Sequence, residues 1–209
     1  TNCLLPPTKK YIDRTWSMNA VGSDDVKHIV GRDFTPVIAQ AHAEPGFEKD
    51  EPEETTMTGF GHKAVLGLAP EIIGAVKEGK IKKFVLIGGC DGYEMERSYY
   101  HDLAMGMPDD AVVMTLACGK FRFIKKFGEF GTVPGTEIPR LLDVGQCNDA
   151  YSAVQIAVAL AGAFECGVND LPLSIVLSWF EQKAVSVLLS LLFLDVQNIR
   201  IGPTLPAFI

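Results

Sequence analysis

From residue 63 onward the sequence predicts an α/β fold, a mostly parallel sheet flanked by helices. Two observations carry that expectation. Five short apolar runs alternate with segments of helical composition, the order that buries a parallel sheet under helices on both faces. Three of the chain's five cysteines also stand just past such runs, in FVLIGGC, AVVMTLAC and LLDVGQC, where the carboxyl ends of parallel strands border a shared crevice.

Each element has its own signal. A helix is expected over residues 70–80, with Pro70 at its start and Gly79 at its end, and a strand over 84–87. A second helix is expected to begin near Tyr93, in EMERSYYHDLAMGM, and to lead through Pro108 into a strand over 111–116. Residues 120–139, punctuated by Gly and Pro, read as a long loop before Leu141. Asn148 and Asp149 are good caps for the Ala-rich helix DAYSAVQIAVALAGAFEC, and Asn169 and Asp170 turn the chain into the strand LPLSIVLSW. Glu181 opens the next helix, and NIRIGP supplies a last strand, with right-handed crossovers as the expected connections.

Residues 1–62 are less regular. Pro6, Pro7 and Pro36 interrupt them, a helix is expected around 35–42, and the acidic segment 44–54 reads as a solvated loop. TMTGFGH, residues 56–62, is expected to join two domains. No repeat of fixed period is present beyond the alternation of strand and helix.

Composition narrows the partners. The 209 residues are 47% hydrophobic, enough for a buried core. A formal charge of −7, from 19 basic and 26 acidic residues, argues against nucleic acid or an anionic membrane and for a small ligand or a protein. Five cysteines, an odd number without a signal peptide, argue against a disulfide framework and for a reducing compartment, so the cytoplasm is the expected location. The start at Thr1 and the stop at Ile209 read as those of a fragment. The longest apolar stretch, 184–194, is shorter than the roughly 20 residues a membrane span needs and is expected to be a buried helix.

The chemistry resides in the cysteines. Thiolates of Cys90, Cys118 and Cys147 converging at one sheet edge point to a metal cluster, since soft, anionic sulfur binds iron and a fold can gather ligands distant in sequence. No CxxC pair reinforces this, and each cysteine taken alone reads equally as a small buried hydrophobe. The glycines of GGCDG around Cys90, and Gly119 after Cys118, clear space for a ligand or simply make tight turns. Cys166, at the end of an apolar helix, reads as structural. Glu181 in SWFEQK is either a first-turn carboxylate favoured by the helix dipole or an oxygen ligand to iron. Lys183 adds positive charge there or is a solvated helix lysine. His28, His42, His62 and His101 form no spaced pair, and HExxH and phosphate-loop patterns are absent, so no histidine is given a ligand role.

Seven segments together closely resemble the hybrid-cluster or prismane proteins, the hydroxylamine reductases. They are TNCL at 1–4, GFGH at 59–62, GGCDG at 88–92, LACGKFRF at 116–123, LDVGQCNDAYSA at 142–153, VNDLPLSIVLSWFEQKAV at 168–185 and IGPTLPAF at 201–208. The resemblance implies a Rossmann-like third α/β domain over 63–209 and, over 1–62, the C-terminal part of a middle α/β domain. It implies a hybrid iron-sulfur-oxygen cluster of the four-iron type, with Cys3, Cys90, Cys118, Cys147 and Glu181 among its ligands. Cys90 matches the ligand that carries a persulfide in oxidised family members, and Lys183 matches the lysine beside the cluster, so Cys90, Glu181 and Lys183 are the implied catalytic residues. A second cluster, cubane or 2Fe-2S, is implied in an N-terminal domain that these residues do not include, and so are a histidine and another glutamate ligand upstream of TNCL. Residues 125–137 are longer or more irregular than the family leads one to expect. The implied activity is reduction of hydroxylamine to ammonia or of nitric oxide, with a reductase protein as electron donor. The rivals are a nickel and iron carbon monoxide dehydrogenase on a similar architecture, against which EQK and LDVGQCNDAYSA speak, and an inert α/β module without a cluster.

Overall fold

The computed structural model describes residues 8–18, 24–90, 96–178, 182–202 and 205, with the backbone alone at Gln182. It divides into two units, Thr1–Glu54 and Thr55–Ile209. In the first, β1 (Trp16–Ser17) pairs in parallel with β2 (Lys27–His28). The helix expected around 35–42 is α1 (Thr35–Ala43), with Pro36 in its first turn and the Thr35 N–H donating to Asp33 Oδ1 at 3.0 Å. Trp16 Nε1 donates to Gln40 Oε1 at 2.8 Å, tying the strand to this helix. Two-residue strands have no period to read, so neither is legible in the residues alone. Residues 45–54 are exposed and without regular structure, as a charged segment in water should be.

The second unit begins with α2 (His62–Gly67) and α3 (Ala69–Lys77), followed by β3 (Lys83–Gly88), α4 (Tyr99–Met105) and β4 (Ala111–Leu116). Then come β5 (Leu141–Gly145), α5 (Ala150–Ala163), β6 (Leu173–Leu177), α6 (Gln182–Phe193) and β7 (Ile199–Ile201). The five strands form one sheet in the order β5-β4-β3-β6-β7, and all four pairings are parallel. The expected fold class is therefore the observed one. The chain adds β4 and β5 on one side of β3 and then crosses to add β6 and β7 on the other. A switch point thus lies between the carboxyl ends of β3 and β6, the place where open α/β sheets bind ligands.

Alternation along the strands divides the core in two. Phe84, Leu86, Met114, Leu142 and Val144 face α2, α3, α5 and α6, whereas Val85, Ile87, Val113 and Leu141 face Tyr100 and Ala104 of α4. The second face is closed by residues 118–130, and here the expectation of a plain loop over 120–139 is corrected. Cys118–Arg122 and Ile124–Glu129 are 3₁₀ helices, and Phe123, Phe127 and Phe130 are buried against β3 and β4. Their i, i+4, i+7 spacing was visible, but flanking glycines and lysines hid it. The hydroxyl of Tyr100 donates to Leu177 O at 3.0 Å and fastens α4 to the end of β6.

Helix α6 is a second correction. It was expected to be a buried helix, yet only the stripe Ala184, Leu188 and Leu191 is buried, while Leu189, Leu192 and Phe193 are exposed, Phe193 at 89%. No helix among the described residues is long and apolar enough to cross a membrane.

Candidate functional site

Cys90, Cys118 and Cys147 each follow the end of one of three adjacent strands, β3, β4 and β5. All three are reduced cysteines, Cys90 half-buried, Cys118 exposed and Cys147 buried. Before each of them the backbone turns through the left-handed region: Gly89 has φ 96°, Ala117 φ 70° and Gly145 φ 131°. Gly89 and Gly145 meet this demand because they lack a Cβ. At Gly89 a Cβ would stand 2.6 Å from Ser178 Oγ, and at Gly145 it would collide with the Asp149 carboxylate.

Ala117 is the strained member. Its φ of 70° with ψ of −164° lies in a region that glycine alone occupies freely, at a cost of about 1–3 kcal/mol. The neighbours hold it there. Its N–H donates to Gly145 O at 2.9 Å, and the Gly119 N–H donates to Gly89 O at 2.9 Å, so the Cys118 turn is tied to both flanking turns. The turn at Cys147 is closed by Asp149, whose Oδ2 accepts the Gln146 N–H at 2.7 Å. Asp149 was expected to cap the helix after it; its carboxylate instead faces back to the turn before it.

The remaining candidates divide. Cys3 and Glu181 lie outside the described residues. Lys183, in the first turn of α6, lines an open cleft of about 620 Å³ together with Cys147, Asn148, Tyr151, Gln155 and Ser186. Cys166 packs against the main core, consistent with a structural role. His62 Nδ1 lies 2.9 Å from Ser152 Oγ, and its ring meets Tyr151 edge-on at 5.7 Å.

Residue-by-residue reading missed one group. Lys120 Nζ donates to Asp143 Oδ1 at 2.6 Å and to Gly145 O at 2.8 Å, with both side chains almost wholly buried. The signal was an aspartate inside the apolar run LLDVG, a residue rarely buried unless paired.

Among the described residues no three His, Cys, Asp or Glu side chains lie close enough to hold a single metal ion. Neighbouring strands are about 4.8 Å apart, so thiols on three successive strand ends suit a cluster of several metal atoms better than one ion. Soft donors, an edge cleared by glycine and turns fixed before each sulfur fit such a group.

Fold and site thus define a class: doubly wound parallel α/β proteins that present thiols at the carboxyl edge of the sheet. The sequence profile of the Prismane/CO dehydrogenase family matches residues 1–209, and the chain belongs to that family. Similar relatives named "Hydroxylamine reductase" occur in Rhodospirillum rubrum (61% identical), Geobacter sulfurreducens (59%) and Acidiphilium cryptum (58%). Each alignment takes in 100% of this chain and 37% of the relative, so the chain spans little more than a third of their length. Among solved structures, carbon monoxide dehydrogenase IV from Carboxydothermus hydrogenoformans superimposes with a TM-score of 0.66 at 18% identity, over 89% of this chain and 36% of that one. A nickel-free carbon monoxide dehydrogenase from Thermococcus sp. AM4 gives 0.60 at 19% identity, over 90% and 39%. These two show the shared fold.

Proposed function

We propose that the protein containing this chain is a hydroxylamine reductase working at a hybrid iron-sulfur-oxygen cluster. The observation that carries the reading is identity of 58 to 61% along the full chain to relatives of that name. The dehydrogenase structures, at 18 and 19% identity, support the architecture and not a nickel site. Residues 1–62 are read as the end of a middle α/β domain and 63–209 as the third. Cys3, Cys90, Cys118, Cys147 and Glu181 are the proposed ligands, completed by a histidine and a glutamate upstream. A second cluster in an N-terminal domain would receive electrons from a reductase protein.

Cleaving the N–O bond of hydroxylamine consumes two electrons and two protons and releases ammonia and water. The bound cluster supplies electrons and a Lewis-acidic iron. The chain's own residues supply position and protons. Turns preceding Cys90, Cys118 and Cys147 hold the sulfurs at one edge before any ligand arrives, which spares reorganisation. Lys183, on the cleft that Cys147 also lines, would donate a proton to the leaving oxygen, Glu181 is the second candidate donor, and Cys90 would hold the cluster through its sulfur. Nitric oxide is the alternative substrate of the same site.

The test is anaerobic purification of the full-length protein, with iron, acid-labile sulfide and nickel determined alongside ammonia production from hydroxylamine. Iron and sulfide without nickel, together with turnover, are expected. Lys183→Ala should lower kcat with iron content unchanged. Stoichiometric nickel or no iron at all would refute the reading.

A further inference from the structure

The one buried ion pair among the described residues lies behind the cysteine turns. Lys120 stands two positions past Cys118, in the 3₁₀ helix that this cysteine opens, and Asp143 stands in β5, the strand leading to Cys147. Asp143 Oδ1 accepts both the Lys120 ammonium, at 2.6 Å, and the Gly145 N–H, at 3.0 Å; the same ammonium donates to Gly145 O at 2.8 Å. Gly145 O also accepts the N–H of strained Ala117 at 2.9 Å. One lysine therefore joins the turn of one cysteine to the strand of the next through two hydrogen bonds, to the Asp143 carboxylate and the Gly145 carbonyl.

Stability alone does not call for this arrangement. A buried ion pair exchanged for apolar side chains of similar volume usually leaves a fold as stable as before. What apolar side chains cannot reproduce is direction, the fixed distance and angle between the Cys118 turn and Gly145. We propose that Lys120 and Asp143 are positioning residues, a clamp that sets Cys118 against Cys147 so that the two sulfurs meet one cluster. The inference rests on the reading of Cys118 and Cys147 as ligands.

The experiment uses the iron-loaded full-length protein and compares wild type, the double variant Lys120→Met with Asp143→Leu, Asp143→Asn, and Cys118→Ala. Three quantities are read: thermal unfolding, the electron paramagnetic resonance spectrum of the cluster, and iron retained against a chelator. For the clamp, the double variant unfolds within a few degrees of wild type yet has an altered spectrum and holds iron about tenfold less well, the scale on which residues behind metal ligands act. A wild-type spectrum and wild-type retention in the double variant, with both lost in Cys118→Ala, overturns the clamp and leaves the ligand reading standing. A wild-type spectrum in Cys118→Ala overturns the ligand reading and the clamp with it. Should the double variant not fold, Asp143→Asn decides, because it keeps an oxygen in place but removes the charge that holds Lys120: an altered spectrum supports the clamp, and an unchanged one refutes it.

Discussion

Gly89 and Ser178 meet across the switch point of the sheet with no space between them for a side chain: a Cβ on Gly89 would lie 2.6 Å from Ser178 Oγ and 3.0 Å from its backbone nitrogen. The Ser178 N–H donates to Gly88 O at 2.9 Å, so β3 and β6 stay bonded up to the residue before the GGC turn completes. Gly89→Ala meets both this contact and a φ of 96°, and should destabilise the protein by about 2–4 kcal/mol. Adding Ser178→Gly should restore part of the loss, the part due to Oγ. Thermal unfolding of the single and double variants measures both; equal stability of Gly89→Ala and wild type would contradict the packing described.

Ala117→Gly should act in the opposite direction. Relief of strain at φ 70° and ψ −164° outweighs the extra freedom glycine brings to the unfolded chain, for a net gain of about 1 kcal/mol. A lower unfolding midpoint would show that Ala117 is not strained.

Lys120→Met alone should be far more damaging than its pairing with Asp143→Leu. It leaves the Asp143 carboxylate, its side chain 5% exposed, without its counter-ion, and losing one partner of a buried pair costs about 3–5 kcal/mol. Chemical denaturation of the single and double variants gives the difference. Equal losses would mean that the two charges are not coupled.

Phe127→Ala tests the layer that replaces the expected loop. The ring is 6% exposed and packs 5.8 Å from that of Phe123, so truncation should cost about 3–5 kcal/mol. A cost below about 1 kcal/mol, typical of a surface position, would return residues 118–130 to loop status.

At the opposite, amino-terminal edge, Lys82 Nζ lies 2.8 Å from Asp110 Oδ2 in a surface pair whose aspartate is half-buried. The hydrogen bond from Lys82 holds the Asp110 carboxyl below its ordinary value and the same bond raises Lys82. A carboxylate with a depressed folded-state pKa gives stability that is present above its unfolded value and is lost as pH falls through the folded one. The contribution is that of a surface pair and hence small. In an NMR titration the Asp110 midpoint should lie on the acid side of the ordinary carboxylate range and move back toward it in Lys82→Met, with iron content untouched. An unmoved midpoint would deny the bond.

Much of the fold was legible because burial imposes composition. Strands covered on both faces must be apolar throughout, so 84–87 and 111–116 stood out and fell within one residue of the observed β3 and β4 at each end. The fate of α6 was misread because an apolar stretch does not say how much of it finds a partner. The same applies to the aromatic layer, where Phe123, Phe127 and Phe130 needed a sheet face to make their spacing meaningful.

The sequence by itself determined the parallel α/β class, the thiols beyond three strands and the family that the motifs share, because these depend on local composition and order. Only the tertiary structure decided the strand order that sets β3, β4 and β5, the strands before Cys90, Cys118 and Cys147, side by side, the meeting of Gly89 with Ser178, and the bond between Lys120 and Asp143. Those relationships join residues from separate strands and turns, and no rule of local propensity sets which strands lie side by side.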